Sequence, residues 1–236
     1  MNILALDTST PRAAVAVATA AGAVHAATTD PDQRHGRNLV PTVRDRLRAA
    51  GLAPRDLDLI AVGRGPGSYT GLRIGLTAAK TLAYATGKPL VGLDSLEVIA
   101  RNAPEGARRI AIIADAQRGD VYAADFARAE PGGPLVRTAP TRIEPLARWL
   151  DRLAEGTVVL GPGLDRLRPP LPPSARRVEP SADWPDGRRL IDLTREAWSA
   201  GRRDDPWFLE PLYLRRSAAE DQWWEEKGTA DATRPP

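Results

Sequence analysis

The chain has 236 residues, 42% of them hydrophobic, which suffices for one large domain or for two smaller lobes with buried cores. It contains no cysteine, so disulfide bonds and thiolate metal sites are excluded, and we expect a cytoplasmic protein. The formal net charge is only +3, and the arginines that supply most of the positive charge are scattered among acids. Composition alone therefore does not predict a nucleic-acid surface.

The apolar runs argue against a membrane span and against export. No run reaches the roughly 20 apolar residues that cross a bilayer. The first apolar stretch lacks a preceding basic segment and is followed at once by Asp7, which indicates a strand and not a signal peptide. We therefore expect no membrane partner.

The first third of the chain predicts a strand meander followed by a helix. Turn residues separate three apolar segments: 3–6, 13–18 and 23–27. Leu39, Val43 and Leu47 then recur four apart, which predicts an amphipathic helix. Pro41 would lie in the first turn of this helix, where proline is tolerated.

A glycine-rich turn then connects a strand to a longer helix. The strand is predicted at 59–62, the turn begins at Gly63, and the helix ends near Thr86. Ser68 is a candidate cap for the helix. A short strand at 90–91 and a helix from Ser95 follow. Three strands and then alternating helices and strands predict a mixed sheet of the α/β class.

A second unit is predicted after residues 102–106. A buried strand at 109–114 and its hairpin partner at 120–126 come first. A helix through Leu146, Leu150 and Leu153 and a strand at 157–160 are next. The segment 162–185 is rich in proline and arginine and is predicted to be irregular. Leu190, Leu193 and Ala197 then mark a last long helix.

The glycine block at 63–75 is the most informative segment. It fails the letter-by-letter test for a P-loop, which needs Gly-Lys-Ser/Thr at the end of the loop, and for the dinucleotide fingerprint. In the helix, Gly71, Gly75 and Ala79 fall four apart on one face. Glycine inside a helix costs about 1 kcal/mol relative to alanine, so a close backbone contact on this face is expected. We interpret the face as a partner-binding surface.

The two halves share a weak sequence similarity, because each begins with a predicted strand that ends in aspartate. These residues are Asp7 and Asp115. An internal duplication would place the two carboxylates facing each other across a cleft. The alternative is that each aspartate only ends its strand, and spacing alone favours this alternative.

Four segments resemble motifs of a known family, in the right order: 3–10, 63–75, 115–122 and 211–215. The family is TsaB, also called YeaZ, of the bacterial machinery that makes threonylcarbamoyladenosine in tRNA. The resemblance runs from residue 1 to about 215 and is loose over 126–210. The glycine block is its most specific part.

The resemblance implies an α/β protein with the actin-like ATPase (ASKHA) fold, in which two lobes each hold a mixed β-sheet flanked by helices. We assign 1–103 to the N-terminal lobe and 104–216 to the C-terminal lobe, whose last helix could pack back on the N-terminal lobe. The polar segment 217–236 is expected to be disordered or bound to a partner.

The resemblance also implies a non-catalytic scaffold that activates the TsaD-type catalytic subunit by heterodimerisation. The product is N6-threonylcarbamoyladenosine at position 37 of ANN-decoding tRNAs. A TsaE-type P-loop ATPase completes the complex, and tRNA is contacted through the complex. The chain is expected to form a homodimer when alone. It is expected to need no cofactor of its own, with ATP or ADP at a subunit interface left open.

Site residues follow from the matched motifs. The partner interface is predicted at Tyr69, Gly71, Leu72, Arg73, Gly75, Leu76, Ala79 and His35. Vestigial phosphate-site positions are predicted at Asp7, Thr8 and Asp115. No catalytic residue and no metal ligand are assigned, because the only histidines are His25 and His35 and there is no cysteine.

Two alternatives remain at this point. An ATP-dependent small-molecule kinase of the same fold would use Asp7, Thr8 and Asp115 around phosphates and a magnesium ion. The glycines expected for its two phosphate hairpins are sparse, because none occurs between Asp7 and Gly22. A direct tRNA-binding module is the other alternative, and the dispersed arginines make it the weaker one.

Overall fold

The computed structural model describes residues 1–30 and 35–215. For His35 it describes the backbone but not the side chain. The predictions for 217–236 therefore lie outside the described residues. The first lobe contains β1 (Ile3–Asp7), β2 (Ala14–Ala18), β3 (Val24–Thr28), α1 (His35–Ala49), β4 (Leu59–Gly63), α2 (Tyr69–Thr86), β5 (Leu90–Leu93) and α3 (Ser95–Ala100).

The second lobe begins with a strand hairpin and ends with a helix. Its elements are β6 (Arg109–Asp115), β7 (Asp120–Ala127), β8 (Val136–Arg137), β9 (Arg142–Pro145), α4 (Leu146–Asp151), β10 (Thr157–Leu160), α5 (Gly163–Leu167), β11 (Ala175–Arg177) and α6 (Gly187–Ser199). Two short 3₁₀ helices lie at Pro54–Asp56 and Pro180–Asp183. No helix among the described residues is long and apolar enough to cross a bilayer.

The two sheets have the same strand plan. In the first sheet the order is β3-β2-β1-β4-β5, with the first three strands antiparallel and β1, β4 and β5 parallel. In the second sheet β7 pairs antiparallel with β6, while β6, β10 and β11 are parallel. The predicted meander and hairpin are confirmed. The repeated plan gives the two-lobed mixed-sheet architecture predicted from the resemblance.

The central strands of the first lobe are buried on both faces. Every residue of β1, β2 and β4 is buried, which explains why these segments are apolar, apart from Asp7 at the end of β1, and do not alternate with polar residues. One face carries Leu4, Leu6 and Ile60 against α1 and α2. The opposite face carries Ile3, Ala5 and further residues against α6.

The last helix, α6, packs on the first lobe although it follows the second lobe in sequence. It contacts β1, β2, β3 and β5. Leu190 and Ile191 are fully buried there. Gly187 begins the helix where an added Cβ would lie 3.0 Å from the Cβ atoms of Ala16 and Ala26. The chain therefore crosses between the lobes a second time before it reaches residues 204–215.

Three local predictions are wrong. The segment 162–185 is not irregular, because β11 finds a parallel partner in β10 and α5 and a 3₁₀ helix form beside it. Pro41 is the seventh residue of α1 and not part of its first turn, since the helix already begins at His35. Helix α4 ends at Asp151, before Leu153. A pattern of apolar residues shows neither the pairing between strands that are distant in the chain nor a helix start that precedes the first apolar residue.

Candidate functional site

The glycine block wraps around residues 7–9 of the same chain. The backbone N–H of Ser68 donates to the carbonyl of Ser9 at 2.7 Å. A Cβ on Gly67 would lie within 3.0 Å of Ser9 backbone and side-chain atoms, and a Cβ on Gly63 would meet the carboxylate of Asp7. The loop needs glycine because its backbone packs directly on the end of β1.

The start of α2 is fixed by a side-chain cap. The Ser68 hydroxyl accepts a hydrogen bond from the backbone N–H of Gly71 at 3.2 Å, as predicted. Gly87 ends the helix in the left-handed conformation with φ of 65°. This 18-residue helix therefore has defined ends, and each of its residues has a fixed place on one of its faces.

The small-residue face of α2 points inward, against the chain's own first strand. An added Cβ on Gly71 would be closer than 3.0 Å to the carbonyl oxygen of Thr8, and one on Gly75 would be equally close to the Thr8 hydroxyl. That hydroxyl donates to the carbonyl of Gly71 at 2.7 Å. The close backbone contact predicted from the glycines exists, but it is made within the chain.

The interface prediction is accordingly wrong for the buried part of α2. Five of the predicted interface residues are buried in the folded chain: Gly71, Leu72, Gly75, Leu76 and Ala79. They pack against β1 and β4 and cannot reach a partner while the chain is folded. A four-residue spacing identifies one helix face but does not say which backbone covers it.

Two predicted interface residues, Tyr69 and Arg73, are exposed and lie on the opposite side of α2. Thr77, Thr81 and Tyr84 continue the same side at spacings of three and four, and all are exposed. We call these five residues the outer stripe. Sequence reasoning missed its last three members, although their polar and aromatic character at helical spacing was the available signal.

The segment 204–215 borders the outer stripe at both ends. At one end the guanidinium of Arg73 lies 4.3 Å from the ring centroid of Tyr69, and its Nε donates to the Tyr213 hydroxyl at 3.2 Å. At the other end the rings of Tyr84 and Trp207 meet edge to face, with centroids 5.7 Å apart. The stripe thus has aromatic ends and a threonine-lined middle.

His35, the remaining predicted interface residue, begins α1 with its backbone. Its side chain lies outside the described residues, so its predicted contact stays a prediction.

Asp7 is sealed inside the first lobe. Its side chain is fully buried, its Oδ1 accepts from the backbone N–H of Ser9 at 2.7 Å, and its Oδ2 has no hydrogen-bond partner among the residues that the structure describes. Burial raises the pKa of the Asp7 carboxyl above its ordinary value of 3.8, and the neighbouring hydroxyls of Ser9 and Ser95 oppose this rise only in part. The buried carboxyl is therefore held toward its neutral form.

Asp115 lies elsewhere, in the cleft between the lobes. The cleft has a volume of about 660 Å³, and its lining includes Asp115, Ser9 and Ser68 but neither Asp7 nor Thr8. Asp115 pairs with Arg166 at 2.6 Å and accepts from the backbone N–H of Gln117. The structure therefore does not set Asp7 and Asp115 facing each other across an open cleft, because Asp7 lies behind its surface.

Among residues 1–30 and 35–215, no three side chains of histidine, aspartate or glutamate are grouped as metal ligands would be.

Comparison with known proteins places the chain in a family. The family model for TsaD, tRNA N6-adenosine threonylcarbamoyltransferase, matches residues 27–157, which include α1, α2 and the β6–β7 hairpin. The tRNA threonylcarbamoyladenosine biosynthesis protein TsaB of Escherichia coli is 30% identical over 225 residues, covering 93% of this chain and 96% of that protein. The chain belongs to the TsaB family.

Other TsaB relatives agree with this membership. The protein of the same name from Bacillus subtilis is 37% identical over 66% of this chain and 67% of its own length. The solved structure of YeaZ from Pseudomonas aeruginosa is 30% identical and superposes with a TM-score of 0.75, covering 90% of this chain and all of that one. Both the family resemblance and the mixed-sheet α/β fold that it implied are confirmed.

Proposed function

We propose that this TsaB-family chain is a non-catalytic scaffold. It would activate a TsaD-type catalytic subunit by heterodimerisation, so that the subunit forms N6-threonylcarbamoyladenosine at position 37 of ANN-decoding tRNAs. A TsaE-type P-loop ATPase would complete the assembly, and tRNA would be engaged through it. The chain would pair with a second copy when the catalytic subunit is absent, and would need no cofactor of its own.

The observation that carries the non-catalytic role is the placement of Asp7 and Thr8. A phosphate or a magnesium ion needs oxygen ligands that face the ligand's cavity. The Asp7 carboxyl is fully buried with a raised pKa, and the Thr8 hydroxyl is committed to the carbonyl of Gly71. Neither group lines the cleft.

The same placement weighs against the kinase alternative. Of the three residues that such an enzyme would use, Asp115 alone lines the cleft, and it is already paired with Arg166. Opening the corner to admit phosphates would require Gly71 and Gly75 of α2 to move away from Thr8, although their packing depends on that contact. The vestigial character predicted for the three positions therefore remains part of the proposal.

The outer stripe is the proposed pairing surface. It runs along most of an 18-residue helix whose other side is anchored in the core. Tyr69 and Tyr84 are 41% and 74% exposed, and aromatic residues of this kind are typical anchors of protein interfaces. The small threonines between them leave room for a partner helix to approach. The same stripe would serve both the heterodimer and the homodimer.

Pairing can be tested by placing a long charged side chain in the middle of the stripe. Thr77→Arg should weaken binding to the TsaD-type subunit by about 30-fold or more, because an arginine there must be buried without a partner or must hold the helices apart. Binding is measured by sedimentation of the purified chains. Modification of a tRNA transcript by the reconstituted complex should fall in parallel.

The matched control is Ser199→Arg, the same change at an exposed position near the end of α6. This control and Thr77→Arg should both have the urea midpoint of the wild type, since neither position is buried. Wild-type affinity of Thr77→Arg for the catalytic subunit would show that the outer stripe is not the pairing surface.

A further inference from the structure

Three arginines that are far apart in the sequence come together at the outer end of the second lobe. Arg109 begins β6, Arg108 directly precedes it, and Arg176 lies in β11. They line one open depression of about 590 Å³ together with residues 106–107, 155–156 and 158. We call it the arginine depression.

Strand pairing brings the backbones of these arginines to the same end of the second sheet. Strand β10 lies between β6 and β11, and its Val158 pairs with Ile110 on one side and with Arg176 on the other. Neighbouring strands are about 4.8 Å apart, so Arg176 starts only about 10 Å from the first residues of β6. The sequence separates them by more than sixty positions.

The guanidinium groups of the arginine depression are available for a ligand. All three residues are exposed. Within the described residues none of the three forms an ion pair, and Arg109 donates a hydrogen bond to the backbone carbonyl of Glu155 at 3.1 Å. Glu155 is the acidic side chain that lines the depression, and it is not within ion-pair distance of these arginines.

Other arginines of this lobe are used differently. Arg142 and Arg152 both donate to Asp125 and Glu144, and Arg177 donates to Asp183. Their charge is neutralised inside the protein, whereas the charge of the arginine depression is not. A cluster of exposed guanidinium groups offers paired N–H donors that match phosphate oxygens.

The arginine depression is also separate from the surfaces already discussed. Strand β6 runs from Arg109 at the depression to Asp115 at the cleft, so the two cavities lie at opposite ends of the lobe, about 20 Å apart. The outer stripe belongs to the other lobe. A ligand in the arginine depression would therefore compete neither with the cleft nor with pairing through α2.

We propose that Arg108, Arg109 and Arg176 bind backbone phosphates of RNA, and that this RNA is the tRNA modified by the complex. The phosphate chemistry rests on the three guanidinium groups. The identification of the RNA as tRNA rests on the proposed function. Contacts of this kind hold and orient a nucleic acid without reading its sequence.

The test is a salt titration of tRNA binding with two matched triple variants. One replaces Arg108, Arg109 and Arg176 with glutamine. The other replaces three exposed arginines that are dispersed over the surface with glutamine: Arg48, Arg148 and Arg188. Each variant removes three positive charges from the protein. A labelled tRNA transcript is titrated with the full chain, alone and mixed with the TsaD-type subunit, from about 50 mM to about 200 mM salt.

The depression variant should bind at least about tenfold more weakly than the dispersed variant at the lowest salt. Its plot of log affinity against log salt should be shallower by about 2 to 3, roughly one for each phosphate that the protein no longer neutralises. Equal affinities and equal slopes for the two variants, in both the free and the mixed protein, would overturn the RNA site.

Sedimentation of the same samples separates this result from the pairing proposal. If the chains do not associate but the two variants still differ in RNA binding, the scaffold proposal fails and the RNA site stands. If the chains associate and the two variants do not differ in RNA binding, the scaffold proposal stands and the RNA site fails.

Discussion

Replacing Gly75 by alanine tests whether the small-residue face of α2 is an internal contact. The backbone there is helical, so alanine has no conformational obstacle and should by itself gain about 1 kcal/mol of helix stability. The new Cβ, however, would be closer than 3.0 Å to the Thr8 hydroxyl oxygen and 3.3 Å from Cδ1 of Leu6. Thr8 is fully buried and has little room to move.

The expected net effect is a loss of about 1–3 kcal/mol in the free energy of unfolding. Overpacking a buried site by one methyl group costs about 1–3 kcal/mol. Displacing Thr8 also weakens its 2.7 Å hydrogen bond to Gly71, which contributes about 1 kcal/mol. These two costs exceed the gain in helix propensity. For a chain of this length, about 1 kcal/mol lowers Tm by about 2–4 °C.

A double-mutant cycle in urea identifies the responsible atom. Thr8→Ala removes the hydroxyl that the new Cβ would strike, so Gly75→Ala should cost less in that background, with a coupling of about 1 kcal/mol. Thr77→Ala, at an exposed position of the same helix, should change stability by no more than about 0.5 kcal/mol. Wild-type stability of Gly75→Ala, combined with weaker pairing, would refute the internal contact and restore an interface role for this face.

Two further changes test buried carboxyl groups. Asp7 keeps its proton to a higher pH in the folded chain than in the unfolded chain. The free energy of unfolding of the wild type should therefore fall as the pH rises above about 3.8 toward the raised pKa of Asp7. The stability of Asp7→Asn relative to the wild type should therefore increase by up to about 1.4 kcal/mol per pH unit in that window. A difference in the free energy of urea unfolding that does not change with pH would contradict this. Glu144→Ala should cost about 1–3 kcal/mol because Arg142 and Arg152 lose an acceptor, whereas the exposed control Glu179→Ala should unfold like the wild type.

The strands and helices of the first lobe were predictable because local pattern decides them. Apolar segments of strand length between turn residues predicted β1, β2 and β3, and the four-residue spacing from Leu39 predicted α1. In the second lobe the same reasoning failed for β11. Its residues Ala175–Arg177 carry no strand pattern, and their pairing with β10 supplies the stabilisation instead.

Sequence reasoning singled out α2, but it assigned the residues on the small-residue face to the wrong neighbours. Gly71 and Gly75 predicted a close backbone contact, and the structure places the backbone of Thr8 against Gly71 and the side chain of Thr8 against Gly75. Which backbone it is depends on how α2 rotates over β1, and that is set by the packing of the whole lobe. The prediction for Tyr69 and Arg73 remains compatible with a partner because these residues lie on the other side of the helix.

The sequence by itself determined the family, the fold class and the position of the glycine block, because strand and helix periodicity and short motifs are local properties. Tertiary structure alone decided that Asp7 is sealed from the cleft, that Thr8 covers the glycine face, and that three distant arginines share one depression. Each of these results depends on contacts between segments far apart in the chain. The physical reason is that packing and strand pairing join such segments, and no residue's local context records its distant neighbour.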